Sequence, residues 1–152
     1  MPTLYVVCGA SGKTTFSRYL QSYCGAKLYC FDDLPNACHP KFCNTIRNQM
    51  WSDIITDLQN GIDVVCDDLH ITKNWRMSII STVSEIECKK ILVFIDAPLQ
   101  ECLSRNANRK RRLPDSFIKD IYQAIEPPTL DEGWDEIIYH GGENHEFDFR
   151  SD

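Results

Sequence analysis

Apolar residues along this chain gather in five short runs, at 4–8, 27–31, 63–66, 90–95 and 136–139. The first four are continuous rather than alternating. That pattern predicts strands of a parallel sheet covered on both faces. Helical periodicity fills the intervals, predicting helices over 14–23, 44–59, 73–84, 99–108 and 115–125. In the second of these, Ile46, Met50, Ile54, Ile55 and Leu58 fall on one face. Gly61 follows a helix end, and Pro98 and Pro114 stand where helices begin. Strand and helix alternate throughout, so the expected fold is α/β with a five-stranded, doubly wound parallel sheet. One domain over residues 1–140 and a polar tail over 141–152 complete the expected organisation, with no repeat or linker.

The first strand runs into Gly9, Ala10, Ser11, Gly12, Lys13, Thr14 and Thr15, and a helix follows. A strand, a glycine-rich turn and a helix N-terminus in that order make a phosphate-binding loop. Its N–H groups and the helix dipole hold phosphate. Lys13 adds a charge at the β/γ-phosphates, and the Thr14 hydroxyl is placed to bind Mg²⁺. The pattern G-x-x-x-x-G-K-[ST] would put its first glycine at Val7, so Gly9 is expected to relax the turn instead. ATP with Mg²⁺ is the implied nucleotide.

Composition narrows the picture. The chain has 152 residues, enough for one domain, and an ordinary apolar and charged balance. No apolar run is long enough to span a bilayer, and no basic leader opens the chain, so the expected location is the cytoplasm. Eight cysteines then read as reduced thiols, several of them inside strands and helices. Cys30, Cys38, His39 and Cys43 form a looser group without a close C-x-x-C pair, a weak zinc signature. The four histidines read as surface residues, and Trp51, Trp75 and Trp134 as packing groups. The net charge of −6 argues against a nucleic-acid coat. Arg105, Arg109, Lys110, Arg111 and Arg112 nevertheless cluster, which suits a local phosphate site.

Carboxylates follow the strands. Asp32 and Asp33 come after the second, where an open sheet places its ligands; Asp32 is the candidate general base and Asp33 a substrate contact. Asp67 and Asp68 follow the third, as substrate or Mg²⁺ contacts or a capping turn. Asp96 ends the fourth and reads as structural. Arg105 and Arg109, four apart, would share one side of a helix and close over the triphosphate.

The order of these pieces resembles the P-loop kinases of the polynucleotide-kinase type, a group with many small phage and bacterial members. The resemblance rests on the loop Gly9–Thr15, the Asp pair after strand two, and Val65-Cys66-Asp67-Asp68. It also rests on Phe94-Ile95-Asp96-Ala97-Pro98 with Arg105 and Arg109, and on the stretch from Glu126-Pro127-Pro128 to Asp135-Glu136-Ile137. It implies transfer of the ATP γ-phosphate to the 5′-hydroxyl of DNA or RNA, beneath an Arg-rich lid. By position, Lys13 and Thr14 take phosphate and Mg²⁺, Asp32 is the base, and Arg105 and Arg109 are lid residues. Pro35 stands where phage members carry an arginine on the acceptor's phosphate. Lys41 or Arg47 would substitute for it. A small-molecule alcohol is the alternative acceptor, and a nucleotide-binding regulator without transferase activity the alternative of another class. No stable protein partner is implied.

Overall fold

The computed structural model describes residues 1–37, 39–110 and 112–141. Five strands form one parallel sheet: β1 (Thr3–Gly9), β2 (Lys27–Cys30), β3 (Val64–Asp67), β4 (Lys89–Asp96) and β5 (Glu136–Gly141). The helices are α1 (Lys13–Cys24), α2 (Cys43–Gln59), α3 (Lys73–Thr82), α4 (Leu99–Ala107) and α5 (Asp115–Ala124). Across the sheet the order is β2-β3-β1-β4-β5. The chain leaves β1 for one edge and later crosses to the other, so its topological switch point lies beside the end of β1.

Alternation within each strand now has a physical meaning. Leu4, Val6 and Cys8 of β1 face one way, with Val64, Cys66, Leu92 and Phe94 of its neighbours. Met50, Ile54 and Leu58 of α2 and Ile79 of α3 cover that face. Val7, Val65, Ile91, Val93 and Ile95 face the other way, under Phe16 and Leu20 of α1. Both faces are dry, and that is why the strands read as continuous apolar runs. A third, small cluster of Ala97, Cys102 and Ile118 joins α4 to α5 beyond the sheet. Cys8, Cys66, Cys88 and Cys102 are buried free thiols, as hydrophobic packing expects.

Several expectations need correction. The second strand stops at Cys30, and Phe31–Asp33 turn as a single 3-10 helix, so Asp32 and Asp33 lie on a turn of their own. His70 and His140 are buried rather than on the surface, and His140 lies inside β5. His39 is exposed. Asp96 is exposed and ends β4, while Pro98 occupies the N-cap of α4 without any side-chain cap bond. Helix α4 ends at Ala107, so Arg109 follows the helix instead of sharing its face with Arg105. Cys38, Arg111, His145 and residues 142–152 of the tail lie outside the described residues. Among the described residues no helix is long and apolar enough to cross a membrane.

Candidate functional site

The phosphate-binding loop grows out of β1. Val7 is fully buried in the strand, where it pairs with Asp67 and Val93, so the usual first glycine position is a core residue. Gly9 makes the turn instead, at φ +138°; a Cβ there would lie 2.6 Å from the Ile95 carbonyl oxygen. Gly12 has φ +78° and immediately precedes α1. A Cβ on Gly12 would collide with Nη1 of Arg105. Glycine is required twice, once for the sheet and once so that an arginine can lie over the loop.

A cavity of about 210 Å³ opens here. Its wall takes in the loop from Ala10 to Thr15, Asp32, Arg105 and Arg109, with Cys102, Asn106 and Ile118 behind them. Residues from the loop, the β2–α2 turn and the α4–α5 region thus share one space. Asp33 and Lys41 do not line it; Lys41 lies over the Phe42 ring, 5.7 Å from the centroid.

The α4–α5 side is built for position. Arg105 forms an ion pair with Glu101 one turn earlier, at 2.6 Å. Asn106, which the sequence reading passed over, is almost fully buried. Its Nδ2 donates to the Leu113 carbonyl at 2.7 Å, and its Oδ1 accepts from the Leu113 N–H at 3.0 Å. Those two bonds hold the ends of the turn that carries Arg109, which explains how Arg109 reaches the cavity after its helix has ended. The Arg-Asn-Ala-Asn-Arg run was the available signal, since a buried Asn commonly satisfies turn backbone.

Asp67 ends β3 beside the loop and is buried. Burial holds its carboxyl above the usual carboxylate range, against the pull of Lys13 and the Thr14 hydroxyl. The Cys30 thiol donates to Asp67 Oδ2 at 3.7 Å. A hydroxyl, a buried carboxylate and an ammonium side by side fit a Mg²⁺–phosphate pair, whose charge would replace the missing solvation of Asp67. Of the weak zinc group, Cys38 lies outside the described residues, Cys30 faces Asp67, and Cys43 donates to the Pro40 carbonyl at 3.6 Å. Among the described residues no three His, Cys, Asp or Glu converge on a metal site.

Asp68 turns the opposite way. It accepts from Arg47 Nε at 2.7 Å and Nη2 at 3.3 Å. The Arg47 guanidinium lies 3.9 Å from the Phe31 ring centroid and 5.1 Å from that of Trp75. Arg47, expected as a substrate contact, is therefore already paired and stacked.

Behind the loop lies a buried polar network that no local sequence pattern announces. His70 has φ +48° and no exposed surface, and its Nδ1 donates to the Val7 carbonyl at 3.0 Å. Nε2 is then unprotonated, and it has no partner among the described residues. The His70 carbonyl accepts from Arg76 Nη1 at 3.0 Å. Arg76, fully buried in α3, also reaches the Glu126 carbonyl at 2.8 Å and grips Glu132 through Nε and Nη2, at 2.7 and 3.0 Å. Trp134 Nε1 and the Thr129 N–H donate to the same carboxylate. Burial pushes Glu132 up, but these donors outweigh it and hold the carboxyl below its usual range. The Glu126 N–H donates to the Ile71 carbonyl at 2.8 Å. The strand leading into the phosphate loop and the segment leaving α5 are thus fastened to the same few atoms.

Burial lowers the His70 imidazole to about 4, with Asp68 and the Val7 carbonyl opposing the shift and Lys13 and Arg47 adding to it. A histidine depressed in the folded state contributes stability that is present above its unfolded value near 6.5. That contribution is lost as the pH falls from there toward 4. At pH 5 the loss amounts to roughly 2 kcal/mol, at about 1.4 kcal/mol per pH unit. Urea unfolding of the native chain and of His70→Asn, from pH 7.5 to 4.5, checks this. The variant, whose Asn tolerates the left-handed backbone, should start less stable and show the shallower acid slope. Parallel slopes would show that His70 carries none of it.

Comparisons with known proteins fit this geometry. Residues 1–140 match the KTI12 family, described as chromatin associated protein KTI12. L-seryl-tRNA(Sec) kinase of Methanococcus maripaludis is 27% identical over 78 residues, which make up 51% of this chain and 31% of that protein. This chain spans about a third of that relative's length. Kti12 of Chaetomium thermophilum, solved in complex with ADP-AlF3, has a TM-score of 0.70 at 17% identity, over 94% of this chain and 91% of the other. A gluconokinase from Sinorhizobium meliloti has a TM-score of 0.67 at 16% identity, over 94% and 83%. The fold is that of the P-loop kinases.

Proposed function

We propose, from the premise that this chain belongs to the KTI12 family, that it is an ATP-dependent phosphotransferase whose acceptor is a hydroxyl on a nucleic acid. One observation carries the reading: Lys13, Asp32, Arg105 and Arg109 meet in a single cavity from three separate parts of the chain. A nucleotide binder needs the loop; it does not need an exposed carboxylate opposite two arginines. The 5′-hydroxyl end is the first choice of acceptor. The likeness to a seryl-tRNA kinase favours a second, in which the hydroxyl belongs to an amino acid carried on tRNA.

In this mechanism the loop N–H groups and Lys13 hold the β- and γ-phosphates. Thr14 and Asp67 would hold Mg²⁺, and the ion would neutralise phosphate charge when bound. Asp32 accepts the proton of the attacking hydroxyl. Arg105 and Arg109 meet the negative charge that grows on the transferring group. Arg105, held over Gly12 by Glu101, is positioned before substrate arrives.

Transfer of labelled γ-phosphate to a 5′-hydroxyl oligonucleotide, to seryl-tRNA and to small alcohols such as gluconate tests the proposal. Label on either nucleic acid supports it and chooses between the two acceptors. Label only on a small alcohol moves the assignment to that class, and ATP turnover with no labelled acceptor refutes transfer to alcohols altogether. Asp32→Asn should slow transfer by roughly 10²–10⁴ while ADP affinity, read by calorimetry, changes little. A silent Asp32→Asn beside a damaging Asp33→Asn would exchange their roles.

A further inference from the structure

One of the cavities that the mechanism leaves unused has aromatic walls. It measures about 400 Å³ and lies between α2 and α3, on the outer side of the larger core. Trp51 and Ile55 of α2 and Trp75 and Ile79 of α3 line it, together with Arg47. Asn48, Ser52, Ser78 and Thr82 supply polar edges. Both tryptophans are half-buried, so each keeps part of its ring available.

We infer that this cavity is an acceptor subsite that stacks a nucleobase of the nucleic acid next to the reacting hydroxyl. The inference rests on the phosphotransferase reading above and names where its substrate lies.

Position supports it first. Arg47 packs on the ring of Phe31, and Phe31 immediately precedes Asp32, the candidate base. A lining residue of this cavity therefore touches the residue that precedes Asp32 in the wall of the phosphate cavity. Chemistry supports it second. Flat aromatic walls with hydroxyl and amide edges suit a flat heterocycle that presents its own donors and acceptors. Charge supports it third. Asp68 takes Arg47 in a two-bond ion pair, so the cavity holds no uncompensated cation among its lining residues. A phosphate gains little there; an uncharged ring loses nothing. A base-directed, charge-neutral subsite also agrees with a net charge of −6, which disfavours an extended phosphate track.

The test uses a 5′-hydroxyl tetranucleotide and the same oligonucleotide with an abasic first residue. Binding is read by tryptophan quenching in the presence of ADP, and the Michaelis constant by labelled transfer. The abasic probe should bind roughly 5- to 150-fold more weakly, the range for loss of one base–aromatic stack. Trp51→Phe should keep most of the affinity for the normal probe, whereas Trp51→Leu should lose it. Ser78 is exposed on α3, so Ser78→Trp should leave the melting temperature near that of the native chain while filling the cavity and weakening the normal probe. Raising salt should cost less than the slope of about 0.7 expected for one single-strand phosphate contact.

Equal affinity for the two probes overturns the inference. So does an unaltered Michaelis constant in both Trp51→Leu and Ser78→Trp, or a steep salt dependence. Base-dependent quenching without transfer to any acceptor would uphold the subsite and defeat the phosphotransferase reading, so the two fail separately.

Discussion

Lys13→Ala is expected to reduce phosphoryl transfer by on the order of 10³–10⁵, the range seen when a cation is withheld from the transferring phosphate. Lys13 is the one cationic side chain within the loop, and it stands at the first residue of α1 where the helix dipole already favours anions. The arginines of the cavity approach from α4 and the turn after it, so they cannot take over its place at the β/γ-phosphates. The fold should survive, because Lys13 forms no ion pair among the described residues and is partly exposed. Removing it takes from Asp67 a neighbour that favours its charged form, so that carboxyl should shift further up. Single-turnover kinetics with labelled ATP, beside a thermal melt, measure both halves of the expectation. Turnover within tenfold of native in a folded Lys13→Ala protein would remove the phosphate loop from the mechanism.

The second large effect is on stability. Arg76→Met should destabilise the chain by about 3–5 kcal/mol, because it strands the Glu132 carboxylate in a site from which water is excluded. The Arg76 guanidinium also serves two carbonyls, those of His70 and Glu126, and both lose a donor. Arg76→Met with Glu132→Leu should recover much of the loss, since a buried pair replaced by apolar groups of similar volume is often neutral. The recovered fold should still bind nucleotide less well. His70 would no longer be tied through Arg76 to the segment leaving α5, and His70 supports the Val7 carbonyl at the entry to the loop. Urea midpoints and ADP affinities for the single and double variants separate the two roles. Native ADP affinity in a stable double variant would make the network structural only.

Much of this was legible because it is local. Five strands and five helices could be placed to within a few residues, since burial on both faces leaves continuous apolar runs and amphipathic helices leave a period near 3.6. Helix ends were less exact where a turn replaced the last residues, as at Asn108. The loop was legible in full, down to Gly9 standing in for the absent first glycine. His70 and His140 were misread because a lone His carries no pattern, and only packing decides whether it meets water. Arg47 was read as free to grip substrate because its partner Asp68 lies 21 residues away.

By itself, then, the sequence determined the alternation of elements, the phosphate loop and the pool of candidate acids and bases. These depend on neighbours within a turn or two, and their signals are written in contiguous residues. The tertiary structure alone decided the strand order that sets Asp67 beside Thr14. It alone decided that Arg105 lies over Gly12, and that Arg76 closes on Glu132 across 56 positions. Each of these pairings requires the entropy of a long loop to be spent before any contact forms. Only the collective burial of the sheet's two faces supplies that free energy, and no stretch of sequence read locally can show which distant groups it will bring together.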